Sequence, residues 1–243
     1  MILAAGFGTR LRPLTDTLPK ALVEVGGVPV LERNARRLVA AGADRLIVNV
    51  HPFADRIREH VAAANGYGVD VRIAHEVEAP LETGGGLLAA RPHFREDGPF
   101  FLHNADVYTD LDLGALLAAH KASDALVTLA TMERDSPRGL LFDDHGLLGH
   151  VNDDRGTRTE VRDPVGEIQR QAFACAHVIE PRIFDRITER GRFGIFDPYL
   201  RLAAEGERIA SFRVDGCTWV DIGRPEQLAR ANALAGEDAG RGE

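Results

Sequence analysis

Short apolar runs alternate with amphipathic stretches through the first two-thirds of the chain. Ile2–Leu3 precede a glycine loop, and β-branched runs follow at Leu46–Val50 and Val69–Ile73. Phe100–Leu102 and Leu126–Leu129 continue the series. Between them, apolar residues recur at helical spacing. Val30, Leu31, Leu38 and Val39 share a face before Gly42, and Ile57 with Val61 mark a helix ended by Asn65-Gly66. Leu113, Leu116 and Leu117 mark a third helix. Strands and helices alternating at these lengths predict βαβ units, hence an α/β fold with a mixed, mostly parallel sheet flanked by helices.

After Met132 the texture changes. Leu140–Phe142 and Leu147–Val151 flank Asp143-Asp144-His145-Gly146, which reads as a β-hairpin. The polar segment from Asn152 to Glu167 is expected to be mobile. Phe173–Ile179, Ile209–Val214 and Thr218–Val220 read as strands, and Pro181 opens a short helix. Pro225 starts the last helix at its first turn, where a missing N–H costs little. No fixed-period repeat and no interdomain linker are visible. The expectation is one domain over 1–235, with a smaller β-rich insertion over about 133–215 and a frayed tail over 236–243.

Composition narrows the function classes. Of 243 residues, 37 are acidic and 29 basic, so the net charge of −8 argues against nucleic acid as a partner. Small anions need only a local cationic cluster, and they stay open. No apolar run approaches a membrane span, and no basic region precedes an apolar N-terminal stretch, so a cytoplasmic protein without a membrane partner is expected. Cys175 and Cys217, the only cysteines, give neither a disulfide framework nor a metal-ligand spacing. His51, His75, His103 and His177 likewise lack ligand spacing and read as core or rim residues. Lys20 and Lys121 are the only lysines in an arginine-rich chain. Lys121 closes a helix, where a cation suits the dipole.

Candidate chemistry begins at Leu3-Ala4-Ala5-Gly6-Phe7-Gly8-Thr9-Arg10-Leu11-Arg12-Pro13. A glycine-rich turn after the first strand lets backbone N–H groups approach phosphate oxygens. The spacing is not a P-loop. The dinucleotide fingerprint would need glycine where Leu11 stands, and His51-Pro52 occupy the place of its acidic residue, against a nicotinamide oxidoreductase. What remains is bare amides beside Thr9, Arg10, Arg12 and Lys20, an arrangement suited to a triphosphate. A tight turn with solvated arginines is the other reading of that segment.

Leu3 to Thr15 followed by Pro19-Lys20-Ala21-Leu22 resembles the signature of the sugar-1-phosphate nucleotidylyltransferases. Leu81-Glu82-Thr83-Gly84-Gly85-Gly86, Asn104-Ala105-Asp106-Val107 and Trp219-Val220-Asp221-Ile222-Gly223 match in the same order. The Leu-Glu-Thr-Gly-Gly-Gly form is most similar to the N-acetylmuramate-1-phosphate uridylyltransferases of cell-wall recycling. The resemblance implies a Rossmann-like fold and an enzyme that joins a nucleoside triphosphate to a sugar-1-phosphate, releasing pyrophosphate. It implies Mg²⁺ on Asp106 and Asp221, and catalytic contacts from Arg10 and Lys20. Leu3, Ala4, Ala5, Gly6, Gly8, Thr9 and Gly84 would bind the nucleotide; Asn104 and Gly139 would approach the sugar. UTP with N-acetylmuramate-1-phosphate or a related hexosamine phosphate is the expected pair. GTP with mannose-1-phosphate is the alternative, and a non-catalytic nucleotide-sugar regulator is a second. The chain departs from the family at Ala105 (usually Gly), at Arg162-Asp163-Pro164 (often Glu-Lys-Pro) and at Cys175 (Gly in the subgroup). Nothing in it specifies an oligomeric state.

Overall fold

The structure, a computed structural model, describes residues 1–240. Strand β1 (Ile2–Leu3) runs into a loop of short 3₁₀ turns and then the ribbon β2 (Glu24–Val25) and β3 (Val28–Pro29). Helix α1 (Val30–Ala40), β4 (Arg45–Val50), α2 (Ala54–Ala63) and β5 (Asp70–His75) follow. Next come α3 (Glu82–Ala89), β6 (Phe100–Asn104), β7 (Val107–Thr109), α4 (Leu113–Lys121) and β8 (Val127–Met132). The β-rich stretch holds β9 (Arg138–Asp143), β10 (Gly146–Asn152), β11 (Thr157–Glu160) and β12 (Gln169–Ile179). The chain closes with α5 (Ile183–Arg186), α6 (Phe196–Ala204), β13 (Ile209–Arg213), β14 (Trp219–Asp221) and α7 (Pro225–Gly240). Helix α7 thus carries on through positions 236–240, expected to be tail; residues 241–243 lie outside the described residues.

Two compact units emerge. One comprises Met1–Pro80, His103–Leu111 and the chain from Cys217; the other comprises Leu81–Leu102 and Asp112–Gly216. In the first, β1 pairs in parallel with β4 (Ile2↔Val48) and with the end of β6 (Ile2↔His103), and β5 pairs in parallel with β4. Residues Leu46 to Val50 are all buried, as befits a parallel strand covered on both faces. Helix α1 turns Val30, Leu31, Asn34, Ala35 and Leu38 inward, one face at helical spacing with one polar interruption. Leu11, Val23, Tyr108, Val220, Ile222 and Ala231 form an apolar cluster joining the glycine loop, the β7–β14 ribbon and α7. Burying each of the larger ones is worth roughly 1.5–3 kcal/mol, enough to hold a polar site above them.

In the second unit, β8 lies between β12 (antiparallel) and β13 (parallel), and the β9–β10 hairpin joins β12 through β9. The segment expected to be mobile after Asn152 is partly ordered as β11, paired with β10. Its sequence Thr-Arg-Thr-Glu, exposed throughout, carries no apolar alternation to betray a strand. Gly149 permits that pairing: a Cβ there would lie 1.9 Å from the Thr159 carbonyl oxygen.

Candidate active site

The glycine loop starts where three parallel strands end, the edge at which α/β sheets bind ligands. The Ala4 N–H donates to the carbonyl of Asn49 at 3.2 Å and to its side-chain Oδ1 at 2.8 Å. Asn49 in turn donates from Nδ2 to Glu76 Oε1 at 2.6 Å, and both side chains are buried. The ends of β1 and β4 and the residue after β5 are thereby tied together. Beyond Ala4 the loop opens: a Cβ on Gly6 would meet nothing within 4 Å. Gly8 adopts φ 65°, and the Thr15 hydroxyl donates to its carbonyl at 2.8 Å. Thr9 and Arg10 stand exposed in a 3₁₀ turn whose next residue, Leu11, is anchored in the core.

Lys20 follows Pro19 into another 3₁₀ turn and is nearly buried. Its ammonium donates to the carboxylate of Asp106 and stands 3.7 Å from Asp221 Oδ1. Two aspartates 115 positions apart meet because β14 pairs with β7 in the register Asp221↔Val107. The Gly223 N–H donates to Asp221 Oδ1 at 2.7 Å, fixing that carboxylate's rotamer. A Cβ on Gly223 would lie 2.7 Å from an Arg10 guanidinium nitrogen, 2.8 Å from Asp221 Oδ1 and 3.1 Å from Lys20 Nζ. Arg10, Lys20, Asp106 and Asp221 are therefore brought to one place, around a glycine that leaves room for them. Asn104 lies beside Leu3 in the β6–β1 register, within the same unit. Burial pushes the imidazole of His103 down to about 4, so it is neutral at pH 7 and adds no charge here.

Asp106 and Asp221, each about a third exposed at the side chain, offer two hard oxygen donors with a cation already between them. Among the described residues, no group of three or more His, Cys, Asp or Glu is placed to hold a metal. Two carboxylates suit Mg²⁺, which takes its other ligands from phosphates and water.

Gly84 and Gly139 belong to the second unit. The glycine run sits in the first turns of α3, where the Gly84 and Gly85 N–H groups both donate to the Phe193 carbonyl. A Cβ on Gly84 would lie 2.4 Å from the Phe193 ring, and one on Gly85 2.4 Å from the Gly191 carbonyl. These glycines serve the close approach of the 191–194 loop, and that loop takes up both amides. Gly139 is covered by Arg170 and Val151. Arg170, Leu141, Val151, Asn152 and Ile168 are among the residues lining a cavity of about 440 Å³. Arg162, in the segment that departs from the family's Glu-Lys-Pro, forms a two-pronged pair with the buried Asp143 and also donates to Gly146 and Leu147 carbonyls. It clamps the loop onto the hairpin. Cys175 adopts φ 64° at an irregularity of the β12 register, a backbone geometry that favours glycine.

Sequence reasoning passed over Asn34, Asn49, Glu76 and Gly223 as site residues. The signal for Asn34 was its place on the apolar face of α1, and for Asn49 its place inside a β-branched run. Gly223 ends a motif whose aspartate alone drew attention.

A nucleotidyl transferase family profile matches residues 1–140. The chain is 34% identical over 241 residues to N-acetylmuramate alpha-1-phosphate uridylyltransferase of Caulobacter vibrioides, covering 98% of this chain and 96% of that one. It is 31% identical over 236 residues to mannose-1-phosphate guanyltransferase of Yarrowia lipolytica, covering 96% of this chain and 63% of that one. Among solved structures, a putative glucose-1-phosphate thymidylyltransferase from Bacillus anthracis superposes with a TM-score of 0.79 at 18% identity, covering 96% and 93% of the two chains. That likeness establishes the Rossmann-like α/β fold. The sequence matches go further, and with them the chain belongs to the nucleotidyl transferase family, among the enzymes that act on sugar-1-phosphates.

Proposed function

We propose that the protein transfers a uridylyl group from UTP to N-acetylmuramate-1-phosphate or a related N-acetylhexosamine 1-phosphate, with Mg²⁺ held by Asp106 and Asp221, in the cytoplasm. The observation that carries the chemistry is the Lys20 ammonium set beside both aspartates, with Arg10 across Gly223. An oxygen of the sugar phosphate attacks the α-phosphorus of the triphosphate. The new P–O bond forms as the bond to the β-bridging oxygen breaks, and pyrophosphate leaves with the electron pair. The nucleophile is already ionised at neutral pH, so no general base is needed, and the barrier falls through in-line positioning and charge cancellation. Arg10 offers a rigid fork to two phosphate oxygens, and Lys20 a compact point charge. The open amides from Ala5 to Gly8 cradle the triphosphate. A bound Mg²⁺ would add a Lewis acid that neutralises charge on the phosphates.

The choice of UTP rests on the near-complete, two-way coverage by the uridylyltransferase relative. The guanylyl reading, with mannose-1-phosphate, rests on a comparable identity to a relative of which this chain spans 63%. A mixture of four nucleoside triphosphates with Mg²⁺ and N-acetylmuramate-1-phosphate separates them by product mass. A UDP-linked sugar as the dominant product supports the proposal. Transfer only when mannose-1-phosphate is supplied, yielding GDP-mannose, would falsify it.

A further inference from the structure

Asn34 is the polar interruption of α1's buried face, 2% exposed among Val30, Leu31, Ala35 and Leu38. Its Nδ2 donates to the carbonyls of Ala105 and Val107, at 3.0 Å each. Those two carbonyls flank Asp106 in the chain. The other backbone groups of this turn are also engaged: the Ala105 N–H donates to Leu3 at 3.0 Å, and the Asp106 carbonyl accepts from Ile222 at 3.0 Å. With the peptide on both sides clamped by one amide, the direction of the Asp106 side chain toward Lys20 is fixed. Among uncharged side chains, an amide supplies two hydrogens from one nitrogen, whereas a hydroxyl has one.

We infer that Asn34 is a positioning residue for Asp106, setting the carboxylate's direction and with it the affinity of the aspartate pair for a divalent cation. The inference rests on the reading of Asp106 and Asp221 as the metal-holding pair. Groups that orient a ligand from behind change metal affinity by about 10–100-fold when removed, whereas general loss of packing lowers stability without singling out the metal.

The test titrates Mn²⁺ into the full chain without substrates, followed by electron paramagnetic resonance, with a thermal melt on every variant. Asn34→Ala is compared with Ile57→Ala, a buried truncation in α2 of the same unit. Asn34→Ala is expected to bind Mn²⁺ at least about tenfold more weakly. Ile57→Ala should melt earlier yet keep its Mn²⁺ affinity. Should Asn34→Ala fail to fold, Asn34→Ser retains one donor, and its expected weakening is smaller but in the same direction. An Asn34 variant that folds and binds Mn²⁺ like the parent overturns the positioning role. A parent that takes up no Mn²⁺, or an Asp106→Asn variant that takes it up equally well, overturns the aspartate-pair reading instead.

Discussion

The Ile222 N–H donates to the carbonyl of Asp106 at 3.0 Å, so the residue after one aspartate is tied to the backbone of the other. Through this bond and the β7–β14 ladder, the geometry of the two carboxylates depends on the backbone rather than on long side chains. The site is preorganised, and charge changes at single atoms should act on turnover more than on folding.

Asp106→Asn and Asp221→Asn should each lower kcat by at least about a hundredfold at saturating Mg²⁺, the scale of losing a major charge-stabilising group. Both carboxylates are partly exposed, and carboxamides have the same shape, so melting temperatures should stay near the parent's. Steady-state kinetics beside a circular dichroism melt reads both effects. Near-normal turnover of either variant contradicts the assignment.

Gly223→Ala should lower kcat/KM by more than about tenfold, because its Cβ would come within 2.7–3.1 Å of Arg10, Asp221 and Lys20. Gly223 is outside the left-handed region, so backbone strain is not the cause. Lys20→Arg should not restore what Lys20→Ala loses, since a planar guanidinium cannot occupy an ammonium's compact place. A Gly223→Ala enzyme as active as the parent would mean that Arg10 and Lys20 do not work from these positions.

Much of this site was legible beforehand, because the apolar runs that end in Leu3-Ala4, Asn104 and Val220 are strong strand signals and the chemistry sits at their ends. Other parts were hidden for physical reasons. The Gly84–Gly86 run has poor intrinsic helix propensity, and it becomes helical because the Phe193 carbonyl takes up its first amides. β11 is a polar edge strand held by backbone pairing alone. Helix α6 is absent from the sequence expectations, although Pro198, Tyr199, Leu202 and Ala203 lie on one face, because Pro198 in its first turn masks the pattern. The role of Arg162 could not be read from its motif, because only the fold shows that Asp143 lies against it.

Arg162→Ala should damage stability rather than sugar-phosphate binding. Asp143 is fully buried at its side chain, and leaving it unpaired costs on the order of 3 kcal/mol. The Arg162 guanidinium holds the Asp143 carboxyl down to about 2, so this stabilisation is complete above the ordinary carboxylate range and disappears as pH falls from about 4 toward 2. Denaturant midpoints across that range should slope less in Arg162→Ala than in the parent. A variant with parental stability and a raised KM for the sugar phosphate would instead give Arg162 a part in holding the sugar phosphate.

His103 should make the fold acid-sensitive at milder pH. Its folded value of about 4 lies below the ordinary histidine value of 6.5, so protonation favours the unfolded chain. Its contribution is complete above about 6.5 and is lost as pH falls toward 4, by an amount of order 3 kcal/mol. His103→Gln should flatten the stability profile between those limits. An unchanged slope in that window contradicts the account.

The central claim is nucleotidyl transfer at the Asp106–Lys20–Asp221 cluster, and labelled α-phosphate tests it most directly. With UTP carrying the label at its α-phosphorus and N-acetylmuramate-1-phosphate as acceptor, the label should pass into the nucleotide sugar as one pyrophosphate is released per transfer. Asp221→Asn should slow both processes together by at least about a hundredfold. Pyrophosphate release without labelled nucleotide sugar, or equal transfer by Asp221→Asn, would contradict it.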